Sequence, residues 1–246
     1  MNKQVSLLVI KTCIIIYVLP IIVALFLQMI YPSATIEFKY WVQRICFYLS
    51  LILWTYHLKR KNQITFCIKD SGAYNGKKYM ILALLGGVGW QCFCVFAYYI
   101  SWFNTSIPNG FTEESFVKLY NSLPMLLSTA IIMPIIEELL FRGTIQELFI
   151  RYIGIKWGIM LSASLFAFYH GKGFLFALII ALLMGCIYFK TQNIIYPIIV
   201  HIGNNLTNVI LGKLDLIGPD KDMLIIICIG YLLFSFAIIG VWRDKK

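Results

Sequence analysis

Acidic residues are scarce in this chain. Its 246 residues hold eleven Asp and Glu against twenty-one Lys and Arg, and charged residues make up only 13%. A soluble domain carries nearer a quarter. Here 60% of the residues are hydrophobic and the mean hydropathy is +0.81. The shortage of charge excludes an ordinary soluble globule and predicts an all-α polytopic membrane protein. The net charge of +10 does not point to nucleic acid. The basic residues cluster in short loops between apolar segments, the pattern of a cytoplasmic membrane face. The seven cysteines form no CxxC pair, and six of them lie in apolar segments. They read as small apolar fillers, which argues against a disulfide framework or a thiolate metal site. HExxH is absent, so the strongest local zinc signature is missing. Ser162 and Ser164 have no GxSxG-like setting, which disfavours serine proteolysis. No repeat, low-complexity segment or long linker divides the chain, so 1–246 reads as a single integral membrane domain. The first apolar segment has no small-residue cleavage pattern after it and reads as a retained helix.

Apolar segments fall at about 12–31, 40–57, 79–103, 122–141, 157–170, 174–189, 193–211 and 223–242. A helix needs about 20 residues to cross the hydrocarbon core, so the pattern predicts about eight transmembrane helices. Charge orients them. The loop 58–78 carries Lys59, Arg60, Lys61, Lys69, Lys77 and Lys78 against Asp70, whereas 104–121 has Glu113 and Glu114 against Lys118. With eight spans every basic-rich loop falls on one side and both termini are cytoplasmic. Lys172 is a mild exception.

Two carboxylates stand out, Glu137 and Glu138, the only acids embedded in an apolar run. A charge in hydrocarbon lines a cavity, pairs with a partner or does chemistry. Glu138 and Arg142 are four apart and face each other on a helix. This leaves Glu137 to face a cavity. Pro134 cannot donate a backbone hydrogen bond, which leaves the Ala130 carbonyl unpaired and favours a kink. Depth depends on the amphipathic stretch 143–156. A fourth helix ending at Phe141 leaves Glu137 and His170 about 10–15 Å apart along the membrane normal, at about 1.5 Å per residue. A helix running on to about Ile150 brings Glu137 nearer the midplane.

Histidine is rarer still, with three residues. His57 ends the second span beside basic residues and reads as interfacial. His170 closes the run from Leu165, and His201 lies within the seventh span. His201 and Asn205 are four apart and project from one helix face. Their N–H groups can hold an oxyanion or a ligand carbonyl. Two hydrolytic schemes fit these parts. In one, a divalent metal such as zinc has Glu137, His170 and His201 as its ligand candidates, and the remaining carboxylate is the base. In the other, no metal takes part: Glu137 and His170 activate a water while His201 and Asn205 steady the oxyanion.

Three motifs stand in order: Glu137-Glu138-Leu-Leu-Phe-Arg142 as EExxxR, Phe166-Ala-Phe-Tyr-His170 as FxxxH, and His201-Ile-Gly-Asn-Asn205 as HxxxN. Together they resemble the CPBP intramembrane proteases, which take in the CAAX prenyl endopeptidases and the Abi or bacteriocin-processing proteins. The resemblance covers about 122–211, the fourth to seventh spans. It implies that these form the catalytic core of an eight-helix endopeptidase, with a site reached from the cytoplasmic side. It assigns water activation to Glu137 and His170, the oxyanion to His201 and Asn205, and a supporting ion pair to Arg142, with Glu138 as its partner. The substrate it implies is a membrane-associated peptide or protein, here a bacteriocin or signalling-peptide precursor in a bacterial cell membrane. Two other readings stay open: a non-catalytic peptide-binding or bacteriocin-immunity protein on the same fold, and a transporter. No inverted repeat or pair of broken helices speaks for the transporter. The sequence carries no signal for oligomeric state.

Overall fold

Long apolar stretches in this chain fold as helices, as they must where the backbone cannot bond to water. The computed structural model describes residues 7, 10–12, 14–33, 36–61, 75–103, 123–170, 173–213 and 221–243. Most of loop 58–78, the stretch 104–121, Lys172, the loop 214–220, Cys13 and Cys67 lie outside the described residues. Among those described there is no strand. Helix α1 opens with a π turn, Ile14–Val18, and continues over Leu19–Ile30; α2 is Ile36–Arg60 and α3 is Gly76–Phe103. Helix α4 is one continuous rod from 123 to 153. It is built of Leu123–Leu127, a π turn Ser128–Ile132, Met133–Leu140, a second π turn Phe141–Gln146, and Glu147–Ile153. Then come α5 (Ile155–Tyr169), α6 (Phe174–Thr191), α7 (Ile195–Lys213) and α8 (Lys221–Arg243).

Three stretches among the described residues are long and apolar enough to cross a membrane: Gly76–Val95, Phe174–Thr191 and Met223–Arg243. Large apolar side chains point outward along α1, α2 and α8, among them Phe26, Leu53, Leu232 and Phe236. A surface of that kind suits lipid rather than water. Cys46, Cys92, Cys94, Cys186 and Cys228 are free thiols.

The fourth helix runs on past Phe141 through Ile153. The start of that continuation is sunk in the core: Phe141, Arg142, Gly143, Thr144, Ile145 and Gln146 are all buried. The turn to α5 is made by Gly154 alone, at φ 85°, a conformation that only glycine adopts without strain.

Helix α3 is gripped between α7 and α8. Glycine permits the approach: a Cβ on Gly87 would lie 2.1 Å from the Val200 carbonyl oxygen of α7. Small residues let helices meet backbone to backbone where no hydrophobic effect drives them together. The contacts also fix direction. Tyr79 meets Tyr196 at the starts of α3 and α7, and Gln91 Nε2 donates to Asn208 Oδ1 at 2.8 Å further along, so these two helices run parallel. Arg142 and Gln146 of α4 donate to the carbonyls of Ala181 and Gly185 on α6, so these two also run parallel. Ser162 of α5 donates to the Phe141 carbonyl, and Gly158 faces Ile150, so α5 runs against α4.

Candidate active site

The two carboxylates are both buried but face different partners. Glu138 is fully buried, and its Oε1 receives Arg142 Nη1 at 2.9 Å. The same oxygen receives His201 Nδ1 at 2.8 Å. Arg142 also donates through Nη2 to the Ala181 carbonyl at 3.2 Å and lies 4.7 Å over the Phe166 ring. A buried guanidinium is tolerable only with such partners. Glu137, 4% exposed, turns the other way into a cavity of about 150 Å³. Thr129, Ala130, Met133, His170, His201, Asn205, Asn208 and Val209 complete its lining.

The cavity thus gathers Glu137, His170, His201 and Asn205 from three helices. Phe166 braces the two histidines, its ring centroid 4.4 Å from His170 and 5.5 Å from His201. His170 Nδ1 is 2.9 Å from the Phe166 carbonyl. A carbonyl only accepts, so Nδ1 carries the proton and Nε2 presents a lone pair. His201 is fixed in the same sense: Nδ1–H goes to Glu138, and Nε2 is 3.8 Å from Glu137 Oε2. Neutral His201 is therefore no donor at Nε2. It becomes one only as imidazolium.

Asn205 departs from the arrangement that helix spacing alone suggests. Its Nδ2 donates to the Thr129 carbonyl at 2.9 Å, and its Oδ1 accepts from Asn204 at 3.1 Å. One N–H of the amide is left to serve the cavity. The backbone of α4 explains the first bond. In the π turn the Met133 N–H reaches back five residues to the Ser128 carbonyl. In that register the Thr129 carbonyl falls opposite Pro134, which has no N–H to give. The carbonyl displaced by Pro134 is thus Thr129, not Ala130 as an α register predicts.

Glu137, His170 and His201 share the cavity, yet among the described residues no three His, Cys, Asp or Glu side chains group as a metal site. Gln91 and Thr129 belong to the site without belonging to any motif. Gln91 is an amide in an apolar span, which is a readable signal; Thr129 acts through its backbone and leaves none.

Residues 118–207 match the family model for type II CAAX prenyl endopeptidase, Rce1-like. No curated protein and no solved structure matches the chain. The matched family is one of membrane proteases, whose substrates are peptides or proteins in the membrane, and the apolar helices agree with an integral membrane protein. All three motifs fall inside the matched stretch, which is similar to that family of membrane proteases.

Proposed function

We propose that the chain is an intramembrane endopeptidase of eight spans, with 122–211 as its catalytic core. The observation that carries the reading is the single cavity lined by Glu137, His170, His201 and Asn205. A water held between the Glu137 carboxylate and His170 Nε2 gives up one proton to that pair. The hydroxide attacks the peptide carbonyl carbon. The oxyanion is held by the remaining Asn205 N–H and by Nε2–H of imidazolium His201, whose Nδ1–H stays on Glu138; the oxyanion itself balances the imidazolium. On collapse the C–N bond breaks, and the proton taken from water passes to the leaving nitrogen. The products are a new carboxylate and a new amine. Preorganised donors of this kind contribute about 3–4 kcal/mol each to such a step. Glu138 and Arg142 position His201 and do not touch the substrate.

The test compares peptide termini, by mass spectrometry of membrane and secreted fractions, from cells carrying the wild-type chain or Glu137→Ala. At least one peptide end should vanish with Glu137. Identical termini in both cells would falsify the proteolytic reading.

A further inference from the structure

Which face of the membrane the cavity opens to can be read from helix register and charge. Helices α3, α5 and α7 run one way and α4, α6 and α8 the other. The pairings named above establish this for α3 to α7. For α8, Gly89 faces Phe234 and Gly240 faces Leu82, an antiparallel register with α3. Leu58 near the end of α2 packs on Leu148 near the end of α4. Lys190 at the end of α6 donates to the Val241 carbonyl at the end of α8. One face of the bundle therefore collects Arg60, Lys78, Arg151, Lys156, Lys190 and Arg243. Among the described residues the helix ends at the opposite face carry, of Lys and Arg, only Lys39, Lys213 and Lys221. By the bias of Lys and Arg toward short cytoplasmic loops, the first face is cytoplasmic.

The cavity lies on the other side of the middle. Thr129 is in the first quarter of α4, His170 caps the far end of α5, and Asn208 and Val209 are in the last third of α7. All three ends are at the face away from the basic loops. Toward the basic face the bundle is packed solid: Phe141, Ile145, Leu148, Met184, Ile187 and Tyr188 are each at most 1% exposed. His170, by contrast, is exposed, and Thr129, Asn205 and Asn208 are partly so.

We infer that the cavity opens to the extracytoplasmic face, so that its substrate is a membrane-anchored or exported peptide whose scissile bond is presented in the outer half of the bilayer. This is the reverse of the cytoplasmic access that the family resemblance implies. The word substrate rests on the proteolytic reading; the direction of opening does not. The walls refine the class. Among the described lining residues there is no Lys or Arg to receive a terminal carboxylate. The amides of Asn205 and Asn208 beside Ala130, Met133 and Val209 suit an internal bond with small apolar flanks. A cavity of about 150 Å³ has room for a benzene-sized group.

Single cysteines at Thr129, Asn208 and, as a reference, Arg60 are placed in a chain whose native cysteines are replaced by Ala. Each is treated with a membrane-impermeant maleimide in spheroplasts and in inverted vesicles. Thr129→Cys and Asn208→Cys should react in spheroplasts, with labelling lost after blocking from outside, while Arg60→Cys reacts only in inverted vesicles. Labelling of the two cavity positions only in inverted vesicles, or on the same face as Arg60→Cys, overturns the inference. Labelling from neither face overturns it too, since the opening would then not be wet. Labelling does not need turnover. Loss of cleavage and a wrong direction of opening are therefore read separately.

Discussion

Glu138 holds His201 by the same carboxylate oxygen that holds Arg142, at 2.8 Å and 2.9 Å. One buried anion thus sets the charge of two neighbours and the tautomer of one. Glu138→Gln keeps the volume and removes that anion. Breaking one side of a buried ion pair costs about 3–5 kcal/mol, so the variant should melt much earlier in detergent. Glu138→Gln with Arg142→Met removes both charges. It should recover most of the stability and none of the cleavage, because His201 still lacks the carboxylate that orients it. Recovery of cleavage in the double variant would show that Glu138 serves Arg142 alone.

Glu137 should behave in the opposite manner. It lines the cavity and has no bond as short as those of Glu138. Glu137→Gln keeps the side-chain volume and breaks no short ion pair, so it should melt much closer to wild type than Glu138→Gln does. Peptide hydrolysis should fall by about 10²–10⁴, the usual worth of a general base. Thermal shift and cleavage assayed on the same preparation check the split.

Pro134→Ala restores an N–H opposite the Thr129 carbonyl, in competition with Asn205 Nδ2. The side chain of Asn205 should then lose its anchor. Small misplacements of this kind cost up to about 100-fold in rate. The expected signature is a lowered kcat with KM little changed and the helix no less stable. An unchanged kcat would dissociate the proline from the site.

Ser162 is buried and donates to the Phe141 carbonyl at 2.8 Å, within the second π turn of α4. Ser162→Ala removes that bond and should cost about 0.5–1.5 kcal/mol. Cleavage per folded molecule should be unchanged, which a serine nucleophile at this position would not allow.

Gly87→Ala drives a methyl into the Val200 carbonyl, one residue before His201. The helices must part, at about 1–3 kcal/mol for overpacking. The melting temperature in detergent should drop, and His201 should shift with α7, lowering activity in the molecules that remain folded.

Much of the site could be read from spacing because α-helical geometry is local. Glu138 and Arg142 meet because four residues make about one turn, and His201 and Asn205 share a face for the same reason. The tertiary partner of Glu138 could not be read this way, since His201 is sixty-three residues away. The extension of α4 through 143–156 was open in the sequence, where Gly143 and Thr144 follow Arg142 as a stop signal would. Packing overrides the weak local preference, with Ser162 and Gln146 tying the π turn to α5 and α6. The bond from Asn205 to Thr129 depends on a one-residue slip of backbone register, which no side chain announces.

The packed layer between Arg142 and Tyr188 has an electrical consequence. A water-filled well that stops at mid-membrane brings bulk potential down to its floor. Most of the transmembrane voltage then falls across the remaining dry half, at about 2.3 kcal/mol per charge per 100 mV. With Phe141, Ile145, Leu148 and Met184 closed to solvent, that half acts as an insulator. On the proteolytic reading, water and protons would enter and leave Glu137 from one side only, and hydrolysis would not discharge the membrane.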